Sequence, residues 1–80
     1  MNPIKNYGYN ILNNMLLGKI VQFISDCEFF PNFNVTGKVI SMTMKNGETI
    51  INIIENKTNK HLSIGSNMKN LRFMVKQWKV

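Results

Sequence analysis

The 80-residue chain has no alanine, one arginine, one histidine, one cysteine, two prolines and four acidic residues. A single cysteine excludes an internal disulfide, and no Cys/His cluster has the spacing of a metal site. No apolar run approaches the roughly 20 residues of a membrane span. The first residues lack the basic segment, apolar stretch and cleavage site of a secretory signal. These absences lead us to expect a reducing, cytoplasmic compartment and no membrane partner. Asn34-Val35-Thr36 and Asn56-Lys57-Thr58 match the glycosylation pattern, but with no secretory context around them.

The poverty of acids also bears on catalysis. The carboxylates are Asp26, Glu28, Glu48 and Glu55. Asp26 and Glu28 would share a face if extended, as a catalytic pair requires, yet the same spacing simply solvates a loop start. Cys27 as a nucleophile needs a base and an oxyanion donor, and the pattern marks neither; a small apolar thiol accounts for it. The lone His61 falls in an outward strand position. There is no Gly-rich phosphate loop. The expectation is a protein that is not an enzyme and uses no cofactor or metal.

What the chain does have is positive charge and asparagine. Ten Lys and Arg against four Asp and Glu give a net charge of +6 and a pI near 9.8. That balance suits a nucleic-acid or other anionic partner. Asn, Lys and Ile also share AT-rich codons, so genomic base composition alone would raise the lysine count. Both explanations of the charge stand.

Eighty residues make one domain with a thin core. Residues 1–9, with Pro3 and Gly8, read as a loosely ordered arm. Ile11, Leu12, Met15 and Leu16 follow helical spacing, which predicts a helix over about 10–17, with Asn10 as cap and Gly18 at its end. Five strands follow, at about 19–25, 35–44, 49–56, 61–64 and 71–75. Asn46-Gly47 predicts a type I′ hairpin turn between the second and third. "DCEFFPNFN" reads as a long loop. "GSNMKN" reads as one helical turn between the last two strands, with Ser66 capping it and Met68 plugging the core. The second and third strands carry more apolar residues than one face needs. That surplus implies a bulge or a second layer.

This order of helix, five strands and a turn before the last strand resembles the SH3-like and Sm-like small β-barrels. "GSNMKN" falls where SH3-like barrels carry a short 3₁₀ turn. The leading helix, "GKVISM" and "INIIEN" are similar to the Sm branch. The resemblance implies an all-β fold, a five-stranded barrel with a short N-terminal helix. The Arg-Gly of the second Sm motif and the acidic-aromatic motif of SH3 domains are absent, so it implies no site residues.

Site candidates come from charge and aromatics. Lys57 and Lys60 lie in the second hairpin, Lys69 in the helical turn, Arg72 on the last strand and Lys76 after it. Brought together, they would contact phosphates without reading sequence. Phe29, Phe30 and Phe33 around Pro31, together with Trp78, would stack bases or meet a partner; folding over the core is their simpler role. Two functions follow. One is a small nucleic-acid-binding module, for RNA or DNA, of low sequence specificity. The other is a protein-interaction or oligomeric structural module, such as an accessory protein of a phage or mobile element.

Overall fold

The computed structural model describes residues 2–27 and 30–77. Its elements are β1 (Asn2–Pro3), a 3₁₀ turn (Ile4–Asn6), α1 (Tyr9–Leu16), β2 (Ile20–Cys27), β3 (Phe30–Lys45), β4 (Glu48–Glu55), β5 (His61–Gly65) and β6 (Arg72–Gln77). The six strands form one antiparallel sheet in the order β1-β6-β2-β3-β4-β5. Among the described residues no ladder joins β5 to β1 or β6, so the sheet is open. This corrects the expectation of a closed five-stranded barrel. Its physical cause lies in the edges: β1 occupies part of the outer edge of β6, and residues 66–71 bridge from β5 to β6 as a turn instead of a ladder.

The sheet gets its shape from β3. Its first half pairs with β2 and its second half with β4, the two partnerships overlapping near Gly37 and Lys38. The register slips between Val39 and Ser41, leaving Ile40 as a bulge residue. A bulge bends its strand and adds twist. Here it also keeps Val35, Val39 and Met42 on one face despite their uneven spacing, which accounts for the apolar surplus of this strand.

Alternation in the other strands sets the rest of the core. Thr49, Ile51 and Ile53 of β4 are buried while their neighbours are half-buried. Val21, Phe23 and Ser25 of β2, Ile64 of β5 and Phe73 of β6 face the same interior. Phe23 and Phe73, at 0% and 1% exposure, each contribute roughly 1.5–3 kcal/mol by burial. Tyr7 meets Phe73 edge-on, with ring centroids 5.6 Å apart.

α1 begins one residue before the expected start, because Gly8 and not Asn10 is its N-cap: the Leu12 N–H donates to the Gly8 carbonyl at 3.0 Å. Leu12 and Leu16 are fully buried against the sheet. Tyr9 Oη donates to the Met42 carbonyl at 2.9 Å, and the Gly18 N–H to the Val39 carbonyl at 2.8 Å. The helix is therefore fastened to β3 at both ends. Asn46 and Gly47 have φ of 53° and 78°, as a type I′ turn needs.

The N-terminal segment is built in more firmly than an arm. Asn2 and Pro3 pair with Phe73 and Arg72, the Ile4 N–H donates to the Leu71 carbonyl at 2.9 Å, and Ile4 is fully buried. "FPNFN" is the start of β3, not a loop, and Cys27 pairs with Phe30. Between β5 and β6 there is no helix. Met68 N–H bonds the Gly65 carbonyl and Leu71 N–H the Met68 carbonyl, at 3.1 and 3.3 Å, making two successive turns. Met68 packs on the core as a plug should, whereas Ser66 exchanges bonds with Thr49 of β4.

Candidate nucleic-acid interface

Residues directly opposite in an antiparallel ladder share a face, so the register assigns the outer surface. Ile24 of β2 lies opposite Asn34 of β3 and Arg72 of β6; Gln22 lies opposite Thr36 and Met74. Gln22, Ile24 and Asp26 alternate with buried Val21, Phe23 and Ser25. The outward face of β6-β2-β3 thus carries Arg72 and Met74, then Gln22 and Ile24, then Asn34 and Thr36. Lys38 and Lys76 continue it at one end. At about 4.8 Å per strand, Arg72 and Asn34 lie roughly 10 Å apart along the sheet.

The centre of this face is a pair of amides. Gln22 Nε2 donates to Asn34 Oδ1 at 3.0 Å. Beside them opens a polar hollow of about 360 Å³, lined by Gln22, Asn34, Thr36, Glu55, Asn56 and Lys57. The β4–β5 turn forms its far wall, held there because the Asn56 N–H donates to the Thr36 carbonyl at 2.9 Å. Glu55 accepts from Thr58 Oγ1 at 2.6 Å, which engages its carboxylate within the turn.

A second pocket of about 270 Å³ lies at the β6 end, lined by Pro3, Lys5, Asp26, Asn70, Leu71 and Arg72. Arg72 Nη2 donates to Asp26 Oδ2 at 3.1 Å, with both side chains partly exposed. Arg72 Nε is buried with no acceptor.

The five basic candidates do not form one cluster. Lys57 and Lys60 are exposed on the β4–β5 turn, and Arg72 and Lys76 lie on β6, with β2 and β3 between. Lys69 is exposed in the turn before β6, where its carbonyl accepts from Ser25 Oγ at 2.6 Å. Lys57, Arg72 and Lys76 flank the amide-bearing face from two sides; Lys60 and Lys69 lie further along at the turns. Lys38, opposite Ile20, continues this face, and Lys5, in the 3₁₀ turn after β1, lines the Arg72 pocket; neither is among the five candidates for phosphate contact.

Of the aromatic candidates, Phe33 lies opposite buried Ser25 and packs against the core. The Phe30 backbone is in β3. Its side chain, and all of Phe29 and Trp78, lie outside the described residues, as does Glu28. His61 is exposed opposite Ile54. Among the described residues no three of His, Cys, Asp and Glu gather as metal ligands, and no helix is long and apolar enough to cross a membrane.

No protein-family model, curated protein or solved structure shows significant similarity to this chain.

Proposed function

We propose that the protein is a small, non-enzymatic nucleic-acid-binding module of low sequence specificity. It would bind through the outer face of β6-β2-β3. The observation that carries this reading is the distribution of charge on that face. Lys5, Lys38, Lys57, Arg72 and Lys76 flank the Gln22–Asn34 amide pair against two carboxylates, Asp26, which is paired with Arg72, and Glu55, which accepts from Thr58 Oγ1 and keeps its charge, so the face is positive on balance. Cations around the rim position phosphates, while the central amides meet sugars and base edges. Cations that contact phosphates do so without reading the bases, so sequence preference is weak. The leading helix, the bent β3 and the turn before β6 support placing the chain near the SH3/Sm-like group as an open variant.

The test is fluorescence anisotropy of labelled oligonucleotides with the wild type and the Lys57→Glu/Lys76→Glu pair. Both residues are exposed, so the fold should survive. The variant should bind at least about tenfold more weakly at low salt. Equal affinity would overturn the assignment of this face.

A second reading, a protein-interaction or oligomeric module, draws on apolar exposure elsewhere. Leu17 and Ile40, at 45% and 38% exposure, adjoin the two residues of the Gly18–Val39 bond. A solution mass above 9.3 kDa would favour it.

A further inference from the structure

We propose that the pocket between the N-terminal segment and β6 is a phosphate-monoester site that takes the terminal phosphate of a bound strand. This inference rests on the nucleic-acid reading above. The pocket is lined by two cations, Lys5 and Arg72, and one carboxylate, Asp26, which pairs with Arg72, with Asn70 on its wall. A phosphate monoester carries about −1.5 to −2 charge at pH 7, more than a backbone diester, and it matches two cations better. The volume of about 270 Å³ falls below the range of roughly 300–1,000 Å³ that holds drug-sized ligands, and suits a small oxyanion.

Position selects an end over an interior phosphate. A strand crossing the face from the β4–β5 turn toward β6 reaches β1, which pairs with Arg72 through Pro3 and is the edge of the sheet. Pro3 and Lys5 stand there as a wall. An interior diester needs a way in and a way out; a terminal group needs only one opening.

The state of Arg72 supplies the recognition chemistry. Its Nη2 and Nε are two arms of a fork that grips oxyanions by parallel hydrogen bonds. Asp26 uses the Nη2 arm, while Nε has no acceptor. An oxyanion that takes the place of the Asp26 carboxylate completes the fork and adds the Lys5 ammonium. Asp26 is then a competitor, a stand-in for the ligand in the free protein.

The experiment compares one oligonucleotide sequence carrying a 5′-phosphate, a 3′-phosphate or hydroxyls at both ends. Binding is measured with wild type, Lys5→Ala and Asp26→Asn, and with inorganic phosphate as competitor. One phosphorylated form should bind about tenfold more tightly than the hydroxyl form, the worth of a charge-assisted contact. Lys5→Ala, at an exposed position, should abolish that difference, on top of the uniform weakening that the loss of one rim cation brings to all three strands; Asp26→Asn should enlarge it. Competition by inorganic phosphate against the phosphorylated form alone would show that the phosphate group itself is recognised. Equal binding of all three strands, or a preference indifferent to both substitutions, would overturn the inference while leaving the nucleic-acid reading intact. Failure of every strand to bind would overturn that reading, and this inference with it.

Discussion

Gly37 lies against the backbone of Ile54 so closely that a side chain at this position would collide with the Ile54 carbonyl. The contact is made where β3 changes partners from β2 to β4, with Gly37 opposite both Val21 and Glu55. Neither backbone can yield without breaking a ladder. Gly37→Ala should therefore cost about 1–3 kcal/mol or more. At roughly 4–8 °C per kcal/mol for a domain of this size, a thermal melt reads the loss directly. A melting temperature within a degree of wild type would mean that β3 is not held this way.

Gly65 makes an instructive contrast. A Cβ there would meet the carboxylate of Glu48, not backbone. That carboxylate accepts the Asn67 N–H at 2.9 Å. Its side chain can swing aside, so Gly65→Ala should cost under about 1 kcal/mol, chiefly the lost hydrogen bond. In a Glu48→Ala background the same substitution should cost nothing further. A double-mutant cycle measures this coupling.

Ser25 fastens the turn before β6 to β2. Its fully buried hydroxyl donates to the Lys69 carbonyl at 2.6 Å. Ser25→Ala should destabilise the protein by about 1–3 kcal/mol, because a carbonyl loses its partner. Hydrogen exchange should also quicken at Met68 and Leu71, whose N–H groups hold the two turns closed.

Much of this architecture was legible in the chain. Helical spacing of Leu12 and Leu16 placed α1, and Asn46-Gly47 placed the β3–β4 hairpin. Alternation placed β4, β5 and β6 within about two residues. The uneven apolar pattern of β3 pointed to a bulge, and Ile40 supplies it. What could not be read is long-range. Nothing local reveals that Ile4 will be buried, because its partners are 67 or so positions away, around Leu71 (one sheet edge closing on the other end of the chain). Pro31 and Gly-poor, aromatic "FPNFN" carry loop chemistry, yet pairing with β2 overrides it. Closure also escaped local reading, since it depends on backbone pairing between strands distant in the chain.

The candidate site followed the same division. Individual lysines and Arg72 stood out by type. Which of them share a surface depends on long-range pairing: register sets Lys38 on the same face as Arg72, the Asn56–Thr36 bond brings the turn of Lys57 to that face, and the Pro3–Arg72 pairing brings in Lys5. The amide pair of Gln22 and Asn34 had no sequence signal, as they are twelve residues apart and neither lies in a motif.

The most direct test of the central claim is the salt dependence of binding to a single-stranded oligonucleotide. If four or five cations on the outer face meet phosphates, log affinity against log salt should fall with a slope of about −3, at roughly 0.7 per contact. The Lys57→Glu/Lys76→Glu pair should lower that slope by one to two units. Undetectable binding to single- or double-stranded DNA or RNA at low salt, or affinity indifferent to salt, would contradict the account.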